Sequence, residues 1–110
     1  MPLDGTLVSD TAAHLLRAKA YIEKYGWCSQ GPYDGVGRIC AANAIYNTCI
    51  SEGSPVSAYL RFLGVISGTK LKLIKWDALF EITDWNDTPG RTLDEVYDAF
   101  DRAIAAEMRT

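Results

Sequence analysis

Gly37-Arg38-Ile39-Cys40-Ala41-Ala42-Asn43-Ala44-Ile45-Tyr46-Asn47-Thr48-Cys49-Ile50-Ser51 contains one charged side chain, Arg38, near its start. A helix with no charge on any side is normally enclosed by protein. Its small residues, Ala41, Ala42 and Ala44, would let neighbouring helices approach closely. The stretch therefore predicts a central apolar helix running from the glycine-rich loop before it to about Ser51, where Glu52 and Gly53 end it.

On the N-terminal side, Ser9 and Asp10 offer capping oxygens for a helix to about Tyr25, closed by Gly26. Leu15, Ala18, Ile22 and Tyr25 recur at helical spacing with Tyr21 beside them, which predicts an amphipathic helix with one face on the core. His14 falls on the margin of that face. No carboxylate or nucleophile stands at a helical spacing that would orient it, so it reads as a structural histidine. Gly26-Trp27-Cys28-Ser29-Gln30-Gly31-Pro32-Tyr33-Asp34-Gly35-Val36-Gly37 has four glycines and a proline among aromatic residues, a composition that predicts a loop. Trp27, with Tyr33, is expected to pin it to the body.

On the C-terminal side, Ser54-Pro55 restarts the chain as an N-cap followed by proline at the first helical position. Val56, Tyr59, Leu60 and Leu63 form the next apolar face, ending at Gly64. Lys70-Leu71-Lys72-Leu73 alternates like a strand, but no second strand is evident for it, so a loop or short extended piece is expected. Trp76, Leu79, Phe80 and Ile82 suggest two turns of helix to about Thr83. Trp85-Asn86-Asp87-Thr88-Pro89-Gly90-Arg91 is turn chemistry, and Thr92-Leu93-Asp94-Glu95 is a capping box. Leu93, Val96, Tyr97, Phe100 and Ile104 then mark one face of a helix to about Glu107, with Asp94, Asp98, Asp101 and Arg102 outside. The expected fold is all-α: one domain over residues 1–110, about five helices around a central apolar helix, after a leader over residues 1–9.

The 110 residues are 48% hydrophobic and 23% charged, an ordinary globular composition. A net charge of -3 and a pI near 5.0 disfavour nucleic acid and anionic membranes as partners. Lys70, Lys72 and Lys75 are few beside the phosphate contacts of a strong nucleic-acid binder. No run approaches the roughly 20 apolar residues of a membrane span, and Met1 to Gly5 lacks the character of a signal peptide. The odd number of cysteines, Cys28, Cys40 and Cys49, then points to reduced thiols and a cytoplasmic protein.

Cys40 opens the central helix, where helix-end amides favour a thiolate. Trp27 and Gly31 ahead of it faintly resemble the approach to the nucleophile of cell-wall cysteine peptidases. However, Arg38-Ile39-Cys40-Ala41 lacks their Asp and Ser around the cysteine, and the sole histidine precedes it. The cysteines lack paired spacing for zinc, and the glycines lack the ending of a phosphate loop, so no metal and no cofactor is implied. Two readings stand for Cys40, Asn43 and Asn47, which share one side of the central helix. They hold the backbone of the neighbouring loops, or they line a pocket with Trp27, Gln30, Trp85, Asn86, Asp87 and Arg91. Either way, the Trp27 loop and the Trp85 turn are expected to meet near the start of the central helix, with both tryptophans largely buried.

Two segments carry a family likeness. Gly26-Trp27-Cys28-Ser29-Gln30-Gly31 with Gly37-Arg38-Ile39-Cys40-Ala41, and Trp85-Asn86-Asp87-Thr88-Pro89-Gly90-Arg91-Thr92 with Glu95-Val96, resemble a family of small bacterial and phage proteins classed as a domain of unknown function. With the first helix and Arg102-Ala103-Ile104-Ala105, the likeness covers most of the chain; the Lys70 to Lys75 stretch looks like an insertion. It implies a bacterial or phage origin and no particular activity. The leading expectation is a non-catalytic accessory protein that binds a protein partner through charge-asymmetric surfaces, an acidic last helix and a basic 70–75 segment. The alternative is a small-ligand-binding or cysteine-dependent enzyme with a pocket between the Trp27 loop and the Trp85 turn.

Overall fold

A computed structural model describes residues 9–29, 37–50, 55–67 and 75–108, except for the side chains of residues 67 and 75–77. Expectations for residues 1–8 of the 1–9 leader, Gln30, Tyr33, the helix end at Ser51 to Gly53, Ser54, the Lys70 to Leu73 alternation and the Trp76 side chain lie outside the described residues. The protein is all-α, with five helices among the described residues: α1 Asp10–Tyr25, α2 Ala41–Asn47, α3 Val56–Ser67, α4 Lys75–Asn86 and α5 Leu93–Met108. None of them is long and apolar enough to cross a membrane.

Local chemistry sets the ends of α1 and α5. The Ser9 hydroxyl accepts from the Ala12 amide at 3.0 Å, and Gly26 closes α1 by donating its amide to the Ile22 carbonyl at 2.7 Å. Gly26 has φ +96°, and a Cβ there would stand 2.7 Å from Arg38 Cγ, so both backbone and neighbour require glycine. At α5 the capping box forms as its spacing predicts: the Thr92 hydroxyl accepts from the Glu95 amide at 3.2 Å, and the Glu95 carboxylate accepts from the Thr92 amide at 2.9 Å. Thr92→Ala is expected to lower the unfolding free energy by about 1 kcal/mol, read as a shift in the denaturant midpoint.

Three boundaries differ from expectation. The uncharged stretch is helical only over Ala41–Asn47, because Ile39 is extended and forms a parallel bridge with Trp27. Its amide donates to the Gly26 carbonyl at 2.9 Å, and its carbonyl accepts from the Cys28 amide at 3.1 Å. The third helix runs through Gly64 to Ser67; an exposed glycine inside a helix costs only about 1 kcal/mol, and Val65 and Ile66 pack against the core beyond it. The fourth continues past Thr83, so Trp85 and Asn86 form its last turn rather than a loop.

The core gathers Leu15, Ala18 and Ile22 from α1, Ala41, Ala42, Ala44 and Ile45 from α2, Tyr59, Phe62 and Leu63 from α3, Ala78 and Ile82 from α4, and Val96, Ala99, Phe100 and Ala103 from α5. Helix α2 lies against α1, α3 and α4, while α3 touches all four others and contributes the largest buried rings. Glu107 joins three helices, accepting from the Ser9 hydroxyl at 3.0 Å and from Arg61 Nε at 2.6 Å.

His14 is a buried structural histidine whose Nε2 donates to the Ile45 carbonyl at 2.6 Å, tying α1 to α2. Burial holds its pKa below the ordinary 6.5, against the upward pull of that hydrogen bond. The unfolded chain therefore takes up the proton more readily. The stability due to neutral His14 is complete above about pH 6.5 and declines as pH falls from there through the lower folded-state value. Chemical denaturation from pH 7.5 to 5 should show this decline, reduced in His14→Gln, whose amide can still donate to Ile45.

Candidate functional site

The Trp27 segment and the end of α4 meet at the start of α2, and Asn86 is the joint. Its side chain is fully buried. Oδ1 accepts from the Trp27 indole at 2.6 Å and from the Ala41 amide at 3.0 Å, while Nδ2 donates to the Cys28 carbonyl at 3.1 Å and to Asp87 Oδ1 at 2.9 Å. An asparagine amide has two acceptor lone pairs and two N–H donors, so Asn86 has no capacity left over. The amide of Ala41 is one of those that the first turn of α2 cannot satisfy within the helix. Asn86 thus caps α2 from across the fold while holding the Trp27–Cys28 strand stub in place.

The expected residues divide between this joint and other tasks. Trp27, Asn86 and Asp87 come together beside Cys40, the N-cap residue of α2. Both tryptophans are partly buried and pack against the core. Trp85 faces away from the joint toward α3 and α5: it packs edge-on against Phe62 at 5.6 Å, and the Arg91 guanidinium lies 4.1 Å over its ring. Arg91 Nε donates to the Trp85 carbonyl at 2.9 Å, and Nη1 stands 3.5 Å from Glu95, so Arg91 locks the α4–α5 turn. The shared buried side of Cys40, Asn43 and Asn47 does not form. Asn43 is half-buried and Asn47 exposed, because α2 turns its alanines and Ile45 to the core.

Cys40 has the chemistry of a packed thiol. It is 1% exposed, its sulfur accepts from the Asn43 amide at 3.5 Å, and burial pushes its pKa up despite that amide. Desolvation outweighs the helix end, the opposite of the balance an activated nucleophile needs. None of the three cysteines is in a disulfide. Native protein treated with a thiol reagent at neutral pH should modify Cys40 slowly, at a rate limited by opening of the fold; rapid modification would contradict this packing.

Two further concavities lie outside the joint. One, of about 310 Å³, is lined by Ile66, Trp85, Arg91, Asp94, Glu95, Asp98 and Arg102. The other, of about 220 Å³, is lined by residues of α1, the segment after α2 and the first turn of α3. His14 and Cys49 are separated by 35 positions in the chain, and no local pattern signals that they share a wall.

No curated protein and no solved structure matches the chain significantly. The profile of a family described only as a family of unknown function, DUF6197, matches residues 8–106. That span includes every described helix up to the last turn of α5, along with the Asn86 joint. The chain therefore belongs to the family of unknown function DUF6197.

Proposed function

We infer that this is a non-catalytic accessory protein that acts by binding a protein partner, and that the groove over Trp85 is its docking face. The observation that carries the reading is the composition of that groove. A half-buried Trp85 and a stacked Arg91 sit at its base, with the exposed carboxylates of Asp94, Glu95 and Asp98 around them. Tryptophan and arginine dominate the energetic centres of protein interfaces, and three carboxylates against two guanidinium groups favour a partner that brings basic side chains. The groups that could have served catalysis at the Asn86 joint are committed to structure: the Asn86 amide is saturated and Cys40 is desolvated. The family likeness supports a bacterial or phage source, and the reduced thiols support a cytoplasmic setting.

Affinity capture from host lysate, run with the wild type and with the double variant Asp94→Lys/Asp98→Lys, tests the docking face. Circular dichroism would verify that the variant folds. A protein retained by the wild type and lost on charge reversal, with retention weakening as salt rises, is expected. A partner held equally by both proteins would move the interface elsewhere, and co-purification of a metabolite without any protein would favour a ligand-binding role.

A further inference from the structure

The recess between α1 and the start of α3 is separate from the Trp85 groove and is built differently. Asp10, His14 and Arg17 stand at i, i+4 and i+7 on α1, the spacing that places three side chains along one helix face. Thr11, Cys49, Ile50, Ser57 and Ala58 complete the wall around about 220 Å³. That volume lies below the ~300–1,000 Å³ of pockets for drug-sized ligands, so the occupant is small.

Three polar groups on this wall have unused capacity. Arg17 donates through Nε to the Thr48 carbonyl at 3.2 Å, which holds the guanidinium in place, and it forms no ion pair among the described residues. A guanidinium has five N–H donors, so four remain on its terminal nitrogens. His14 is 6% exposed, and its Nε2 must be the protonated nitrogen because it faces the Ile45 carbonyl. Nδ1 is then an acceptor, and no described residue donates to it. Asp10 makes no ion pair among the described residues either. A cationic N–H donor, a neutral acceptor and a carboxylate are thus set along one helix face beside the apolar surfaces of Ile50 and Ala58.

We propose that this recess binds a small zwitterion of the free amino acid class, with its carboxylate on the Arg17 guanidinium and its ammonium between Asp10 and His14 Nδ1. The seven-residue offset between Asp10 and Arg17 is a rise of about 10 Å along the helix. An amino acid with one hydrogen bond of ~2.9 Å at each charged end covers such a span, whereas a lone carboxylate or a lone ammonium satisfies only one end. The wall carries one positive and one negative side chain, matching a ligand of zero net charge. Ile50 and Ala58 on the wall offer a seat for a short apolar side chain.

His14 is the only histidine in the chain, so its imidazole resonances report on the recess without assignment ambiguity. Cys49 is the one cysteine that is not buried and stands on the same wall. The experiment titrates the full-length protein with each of the common amino acids, and with acetate, methylammonium and inorganic phosphate as single-charge probes, following the His14 signals by NMR and iodoacetamide modification of Cys49. At least one amino acid is expected to shift the His14 signals saturably and to slow Cys49 modification at least fivefold, with the single-charge probes binding at least tenfold more weakly. Asp10→Asn and Arg17→Gln should each weaken the amino acid at least tenfold, while Leu16→Ala, off the recess wall, leaves it unchanged. Asp10 is exposed in the first turn of α1, so its variant remains informative even if Arg17→Gln disturbs the fold. The proposal is overturned if no amino acid gives a saturable shift, if phosphate or acetate binds as tightly as the best amino acid, or if Asp10→Asn leaves affinity intact.

Discussion

Replacing Asn86 with leucine is expected to lower the unfolding free energy by about 3–6 kcal/mol, since it strips partners from the Trp27 indole, the Ala41 amide and the Cys28 carbonyl, and an unpaired buried polar group costs roughly 1–3 kcal/mol. Leucine matches asparagine in heavy-atom count and branching and is the bulkier of the two, so the loss would come from unmet hydrogen bonds and not from an empty space. Asn86→Asp separates the two halves of the amide. It keeps an acceptor for Trp27 and Ala41 but turns oxygen toward the Cys28 carbonyl and the Asp87 carboxylate. At neutral pH that places a buried charge against two acceptors. The deficit of the aspartate variant should shrink as pH falls, because a protonated carboxyl regains a donor. Denaturant midpoints of both variants from pH 7 to 4 check this; a leucine variant as stable as the wild type would mean that the joint carries no load.

The second large effect is expected at Phe100. Its ring is fully buried where α5 meets α3, 4.7 Å from the ring of Phe62, which in turn meets Trp85. Phe100→Ala should cost about 3–5 kcal/mol by leaving a cavity that the surrounding rings only partly fill. For a domain of this size that corresponds to a fall in Tm of more than about 10 °C. Phe62→Leu combined with it should be less damaging than the two changes taken separately, because they share one contact. An unchanged midpoint for Phe100→Ala would mean that α5 is not docked as described.

The parts of this fold that were legible in the sequence are those whose causes are local. Ser9, Gly26 and the Thr92–Glu95 box place the two sixteen-residue helices because a cap acts within a few residues of the end it satisfies. The meeting of the Trp27 segment with the end of α4 was also readable, since both segments are rich in groups that need partners. Its mechanism was not. Asn86 stands in a turn-forming sequence just before Pro89 and Gly90, yet α4 runs through it, and the groups that fix its side chain, on Trp27, Cys28 and Ala41, lie 45 or more positions away in the chain. The extension of Ile39 was hidden for the same reason: its partner, Trp27, is fixed by tertiary structure, and helical propensity in Gly37 to Ser51 points the other way. The alignment of Asp10, His14 and Arg17 follows from helical spacing, but the walls supplied by Cys49 and Ser57 depend on how α2 and α3 pack.

Helix α1 lies against α5, and Ser9 bonds directly to Glu107, which has a bearing on synthesis. When α1 has been synthesised, about 80 residues remain to be made before its partner helix is complete, and at ~5–20 residues per second that takes roughly 4–16 s. Through that interval Leu15, Ala18 and Ile22 can be only partly covered, by α2 and α3. Slowing translation ahead of α5 is therefore expected to lengthen the interval in which this apolar face of α1 lacks its final partner.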